Sequence, residues 1–212
     1  MNTELNVSQS LTWRYAARRF SDKKVSQTAL EQLLTMTGLS ASSYGLQPYK
    51  IIVIENPKIK ESLLAHSYEQ KKVAANSHLL VLAADMSNVV TMVSSYMQSL
   101  AKTTGITALQ QQAMRENMLA SLANMDPEQQ FQWASAQVNI ALGTLLVSAA
   151  SLGIDSCPIG GIDGRGYDEV LALPERNLRT VITVPIGYRH EDDVSANATK
   201  VRKALHELIV EI

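Results

Sequence analysis

A chain of 212 residues with 19 Lys and Arg against 20 Asp and Glu carries a net charge of −1, so no overall field draws it to nucleic acid or to an anionic lipid surface. Hydrophobic residues make up 46% and charged residues only 18%, below the usual quarter, which leaves apolar surface and favours an oligomer over a monomer. The length allows one substantial core, and the single cysteine, Cys157, excludes an intrachain disulfide and fits a reducing compartment.

In chain order, residues 1–6 hold no basic segment followed by an apolar one, so no signal peptide is expected and the cytoplasm is the expected location. Ser8 reads as the cap of a first short helix carrying Leu11, Trp13 and Tyr15, leading into the basic run Arg14-Tyr15-Ala16-Ala17-Arg18-Arg19-Phe20. Ser26 caps a second helix that ends near Gly38, with Leu30, Leu33 and Leu34 inward. A polar loop over 40–48 precedes a strand at 50–54 whose continuous apolar run predicts burial on both faces. Asn56-Pro57 opens another helix; 69–76 reads as a short helix bearing Lys71 and Lys72, and 79–84 as a second buried strand. Val89, Val93, Tyr96, Met97 and Leu100 mark an amphipathic helix, followed by a weaker helical excursion over 103–124 that could be a lid or a partner surface.

The next stretch is the most apolar. From Ala134 to Leu152 there is no charge, and Val138, Leu142, Leu145, Leu146, Ala149 and Leu152 fall at three- and four-residue steps. Asp126-Pro127 supplies the start and Gly153 the stop. A helix this free of charge is expected to be buried on more than one side, yet its Gln, Asn and Ser content argues against a membrane span. A short strand over 154–158 leads into Ile159-Gly160-Gly161, where backbone can approach something flat. A short helix is expected at 167–173, a strand at 180–186, and either helix or strand in the tail 208–212. Without repeats or linkers, residues 1–212 read as one domain, a mixed sheet flanked by helices.

The chemistry is sparse. His66, His78, His190 and His206 lack metal-ligand spacing, and no nucleophile elbow, Walker loop or dinucleotide-binding glycine fingerprint appears. Asp192-Asp193 reads as a solvated loop pair. That leaves four basic clusters far apart in sequence: Arg14 with Arg18 and Arg19, Lys71 with Lys72, Arg165, and Lys200 with Arg202. Each is either solvated surface charge or, if the fold gathers several, part of an anion site. Arg14 and Arg18 would share a helical face among aromatic neighbours, which favours the anion site there.

Five of these segments resemble, in order and spacing, the flavin-dependent nitroreductase family. The run Arg14 through Phe20 is similar to its N-terminal signature. Ser42-Ser43-Tyr44-Gly45-Leu46-Gln47-Pro48 is similar to its Ser-Ser-x-Asn-x-Gln-Pro loop, and Cys157-Pro158-Ile159-Gly160-Gly161 to its flavin segment. Val184-Pro185-Ile186-Gly187-Tyr188 matches its last core strand, with Lys200-Val201-Arg202 as its C-terminal basic pair.

The resemblance implies an α+β fold with a mixed, mostly antiparallel sheet, an intertwined homodimer, and FMN at the subunit interface with NAD(P)H as co-substrate. Arg14, Arg18, Lys200 and Arg202 would hold the phosphate and ribityl chain, flanked by Tyr15 and Ala16. Lys72 would lie beside the flavin N1 and O2 edge with Glu69 nearby. Pro158, Ile159, Gly160 and Gly161 would pack on the ring, a glycine N–H facing N5. Ser42, Ser43 and Gln47 would come from the other subunit, and residues 203–212 would form an arm reaching the partner. Hydride taken at N5 leaves negative charge at N1 and O2, so a cation there favours the reduced flavin, which then passes two electrons to a nitroaromatic, quinone or similar flat acceptor. Ala16, Gly45, Glu69 and Gly160 depart from the residues common at those positions (serine, asparagine, asparagine and glutamate), and they bear on substrate preference. A non-catalytic flavin storage or sensor protein, or a dimeric interaction protein using 103–124, are the competing expectations.

Overall fold

The computed structural model describes residues 6–212, so the expectation of no leader in the first residues falls largely outside the described residues. Four strands, β1 (Tyr49–Ile54), β2 (His78–Asp85), β3 (Asp155–Ser156) and β4 (Leu178–Gly187), pair in the order β1-β2-β4-β3. Among the described residues every ladder is antiparallel, and the mixed character expected of the sheet is carried by one parallel bridge, Ala16 to Ser156. Helices α1 (Val7–Trp13), α2 (Gln27–Gly38), α3 (Pro57–Ser62), α4 (Val89–Thr104), α5 (Ala108–Leu122), α6 (Pro127–Ser151), α7 (Gly164–Val170) and α8 (Leu205–Leu208) surround it, an α+β arrangement.

The fold is built on α6. Asp126 accepts hydrogen bonds from the Glu128 and Gln129 N–H groups at 2.9 and 2.8 Å, and Gln129 Oε1 accepts from the Asp126 N–H at 2.9 Å, a reciprocal cap. At the other end Gly153 takes φ +68°, and the N–H groups of Ile154 and Gly153 return to the carbonyls of Ala149 and Ala150. Val138, Ala141, Leu142, Leu145 and Ala149 pack with Leu33 of α2, Leu80 and Leu82 of β2, and Val184 and Ile186 of β4. Each buried Val, Leu or Ile among them contributes roughly 1.5–3 kcal/mol. Although α6 is long and apolar enough by composition to cross a membrane, it lies in this core. Gln137 and Ser148 are buried on the same broad face, leaving Asn139, Ile140 and Gly143 outward as an exposed strip without charge.

Several sequence expectations need correction. Asn6, not Ser8, caps α1, with Gln9 completing the box. The strand β1 is not buried on both faces: it lies at the sheet edge, with Lys50 and Val53 exposed, and an apolar run cannot by itself tell an edge from a centre. β2, between β1 and β4, is buried through Ala84. Residues 69–76 form no helix but a 3-10 turn at Lys71–Val73, because Tyr68 and Glu69 both adopt left-handed backbone, φ 51° and 57°. The strand expected at 154–158 shrinks to β3, and α7 begins at Gly164 rather than near Tyr167. Within the excursion, α4 ends at the left-handed Gly105 and α5 starts on its own capping box, Thr107 with Gln110. The tail expected as helix or strand over 208–212 is neither beyond Leu208, where the single helical turn α8 ends.

Candidate functional site

The site begins where α1 stops. Arg14 caps it with extended backbone, φ −66° and ψ 141°, and the following residues run beside β3, where the Ala17 N–H donates to Ser156 O at 3.3 Å. Arg14 and Arg18 therefore do not share a helical face, and Tyr15 is not on the helix. This extended segment lies alongside the residues just before Pro158.

Asp193 holds the segment in place. Its Oδ2 accepts from the Arg18 and Arg19 N–H groups at 2.7 and 3.1 Å and from the Tyr15 hydroxyl at 3.0 Å, while Oδ1 accepts from the Ser195 N–H at 3.1 Å. The expectation that Asp192 and Asp193 are both solvated fails for Asp193, which is 3% exposed. A carboxylate buried that deeply must find donors, and backbone N–H groups leave no signal in sequence. Burial alone would raise the Asp193 pKa, but the four hydrogen bonds outweigh it and hold the carboxyl below its ordinary 3.8. Burial, then Asp193, push the Tyr15 phenol well above its usual value. A depressed carboxylate pKa adds stability that is present above the ordinary value and is lost as pH falls through the folded-state value. Asp193→Asn is therefore expected to cost about 1–3 kcal/mol at neutral pH. That deficit should shrink as thermal unfolding is followed below the ordinary carboxylate value of 3.8, where the unfolded chain takes up its proton first.

Arg189, which the sequence reading did not single out, organises the rest. Its guanidinium binds Asp155 at 3.0 Å through Nε and 2.7 Å through Nη2, and its backbone N–H adds a bond of 2.8 Å. The same guanidinium lies 4.2 Å from the Trp13 ring centre and 4.6 Å from that of Tyr15. The available signal was Asp155 itself, a charge inside an apolar strand that required a partner.

Around Arg189 three further cations gather. Burial, then Arg202, lower the Arg14 pKa, and burial, then Arg14, Arg202 and Arg189, lower that of Lys200. Lys200 also donates to the Thr12 carbonyl. Among the described residues only Arg189 of the four has a carboxylate partner, and the buried Nε of Arg14 has no hydrogen-bond partner. Like charges held together with a spare buried donor fit an anion with several oxygens, such as a phosphate.

Beside this cluster runs the turn at 158–161. The Ile159 N–H donates to Thr183 O at 2.8 Å, pinning the turn to β4, while Gly160 and Gly161 are exposed. The 65–72 segment supports it: Gln70 Nε2 donates to Gly161 O at 3.4 Å, and the Asp163 N–H to His66 O at 2.8 Å. Consecutive left-handed residues such as Tyr68 and Glu69 store strain of the kind that collects at functional sites. In this segment Lys72 is half-buried and Glu69 exposed. The structure thus gathers Arg14, Lys200 and Arg202 with Arg189 near β3, with Tyr15 and Ala16 on the same extended segment as Arg14, while the segment carrying Lys72 meets the turn at Gly161 through Gln70. Arg18 and Arg19 project outward, Arg19 onto Asp192 at 3.4 Å, and exposed Arg165 joins neither group.

Ser42, Ser43 and Gln47 do not reach the cluster within one chain. The Ser43 N–H donates to Gln137 of α6 at 2.8 Å, Ser42 Oγ accepts from the Gln47 N–H at 3.0 Å, and the Gln47 side chain donates to Gly38 O at 2.8 Å. Tyr44 ties the loop to Ser121 of α5. Gly45, at φ +75°, has the Tyr96 hydroxyl 3.0 Å from where a Cβ would stand, which accounts for glycine there. A cleft of about 540 Å³ opens between this loop and α4, lined in part by Gln47, Lys50, Asp85, Met92 and Tyr96.

The profile of the Nitroreductase family matches residues 11–188. A Staphylococcus haemolyticus relative, provisionally named an NAD(P)H nitroreductase, is 32% identical over 216 residues, covering 96% of this chain and 95% of its own. Two solved structures share the fold. One, provisionally named an NAD(P)H:FMN oxidoreductase, from Staphylococcus epidermidis, has a TM-score of 0.88 at 17% identity over 98% of this chain and 96% of its own. The other, from Exiguobacterium sibiricum, provisionally named a nitroreductase and solved in complex with FMN, has a TM-score of 0.87 at 18% identity over 99% of both chains.

Proposed function

The chain belongs to the nitroreductase family, and from that premise we propose that it is an NAD(P)H-dependent FMN oxidoreductase that works as a cytoplasmic homodimer. The observation that carries the proposal is the convergence of Arg14, Lys200 and Arg202 beside the turn at 158–161, with the buried Nε of Arg14 lacking a partner. A phosphate satisfies that donor and relieves the mutual repulsion, so these residues fit FMN. When bound, FMN would accept two electrons from NAD(P)H and hand them in a separate half-reaction to a nitroaromatic, quinone or similar flat acceptor.

The chain's own residues bind and orient. Arg14, Lys200 and Arg202 would hold the phosphate and ribityl chain, and exposed Arg18 is proposed with them. Tyr15 and Ala16 flank that end. Pro158, Ile159, Gly160 and Gly161 would lie against the ring, with a backbone N–H of Gly160 or Gly161 facing it, and Lys72 with Glu69 would sit at the opposite edge. Ser42, Ser43 and Gln47 serve the partner subunit's site. The uncharged outer strip of α6 and the exposed apolar tail, including Val201, Leu205, Leu208, Ile209 and Val210, suit burial against a second copy. In this reading, residues 203–212 are the arm that crosses to the partner and the α4–α5 excursion is a lid or partner surface.

Purified protein is expected to be yellow and to bleach on anaerobic addition of NAD(P)H. A colourless protein that FMN does not reconstitute sinks the proposal, and bound flavin that NAD(P)H leaves oxidised favours the storage or sensor reading. Arg202 is exposed, so its contact is partly solvated. Arg202→Ala is expected to weaken FMN binding by roughly tenfold to a hundredfold, the value of one charge-assisted hydrogen bond. Fluorescence titration measures it, and unchanged affinity removes Arg202 from the phosphate site.

A further inference from the structure

On the far side of the turn carrying Lys72, a lysine is buried almost completely. Lys60 of α3 is 3% exposed, and no ion pair among the described residues includes it. Its Nζ lies 3.0 Å from Asn76 O, 3.2 Å from Asn76 Oδ1 and 3.4 Å from Ser77 O. Lys24 donates to the same Asn76 carbonyl at 3.2 Å. Burial, then Lys24, lower the Lys60 pKa from its ordinary 10.5, with Glu55 acting in the opposite sense. Apolar side chains of similar volume cost less in such a place than a charged one, so the lysine calls for a purpose.

Asn76, 4% exposed, passes the contact on. Its Nδ2 donates to Lys72 O at 2.8 Å and to Val73 O at 2.7 Å. The amide has only one useful orientation here: the ammonium requires the oxygen, and the two carbonyls require the NH₂. Hydrogen bonds in series polarise one another, so the ammonium strengthens the grip of Asn76 on the Lys71–Val73 turn. That turn follows the strained Tyr68–Glu69 pair and has no α-helix to hold it.

We propose that Lys60 is a positioning residue for Lys72, acting through the side chain of Asn76. The proposal rests on the reading of Lys72 as the cation beside the N1 and O2 edge of FMN. It assigns the buried ammonium a role in setting flavin potential without touching the flavin.

The test is the midpoint potential and FMN affinity of the flavin-loaded protein for the wild type, Lys60→Met, Lys72→Met and the Lys60→Met/Lys72→Met pair. Lys60→Met is expected to lower the potential in the same direction as Lys72→Met. The preference for reduced over oxidised FMN should fall by about tenfold, equivalent to ~30 mV for two electrons. The double variant should fall no further than Lys72→Met alone, and Lys60→Arg, which keeps a cationic donor, should restore the wild-type value. Should Lys60→Met fail to fold, Asn76→Asp gives the same reading, because it keeps an acceptor for Lys60 and removes the donors to Lys72 and Val73. A lower melting temperature with an unmoved potential, or additive effects in the double variant, overturns the positioning role alone. An unmoved potential in Lys72→Met overturns this proposal together with the assignment of Lys72, and failure of the wild type to bind FMN overturns the proposed function itself.

Discussion

Arg14→Met is expected to bind FMN about 100-fold more weakly than the wild type, and yet to melt at a higher temperature when no flavin is present. The two effects share one cause. Without an anion, Arg14 is a partly buried cation whose Nε has no partner and whose neighbours include Arg202 and Lys200. Methionine keeps much of the side-chain volume and removes both the repulsion and the orphaned donor, so the flavin-free fold gains stability. With FMN bound the same substitution removes a desolvated, forked contact to phosphate worth about 3 kcal/mol. Isothermal titration and differential scanning calorimetry on one preparation measure both. A fall in affinity accompanied by a lower flavin-free melting temperature would mean that Arg14 is structural rather than a phosphate ligand.

Asp155→Ala is expected to be the most destabilising single change at the site, at about 3–5 kcal/mol, or roughly 6–20 °C in melting temperature for a chain of this size. Asp155 is 3% exposed and is the only carboxylate on the Arg189 guanidinium among the described ion pairs. Removing it releases a fourth uncompensated cation beside Arg14, Lys200 and Arg202 and leaves Arg189 held only by the Trp13 and Tyr15 rings. Because the Arg189 side chain is 28% exposed, water recovers part of the loss and the lower end of the range applies. Inorganic phosphate should restore part of the lost stability, since it neutralises what Asp155 no longer does. Urea denaturation with and without phosphate checks this, and an unchanged midpoint in its absence would remove the Asp155–Arg189 pair from the structural account.

The helix-centred core was legible in sequence because local rules govern it. Ser26, Asn56 and Asp126 cap their helices through side chains one turn away, and Gly153 ends α6 in the conformation that glycine favours. Where two local rules competed, the reading slipped. Asn6 displaced Ser8 as a cap, and the left-handed Tyr68 and Glu69 broke what read as a helix. β1 had the composition of a central strand but took an edge, since the number of neighbours a strand acquires is not written in its own residues.

The site divides in the same way. The identity of its proposed parts, Arg14, Lys72, residues 158–161, Lys200 and Arg202, was readable as basic clusters and a glycine turn. Their grouping was not. Whether separate cations repel into solvent or meet in one place depends on bonds between residues far apart in the chain: Asp193 holding residues 15–19, and Asp155 holding Arg189. It also explains why Arg18, identical in kind to Arg14, faces away. Caps, glycine stops and apolar spacing act within a few residues, and so sequence by itself determined the helices and the strands of the core. Convergence of like charges is held by buried carboxylates recruited across more than thirty residues in one case and across nearly the whole chain in the other, and only the tertiary structure decided that.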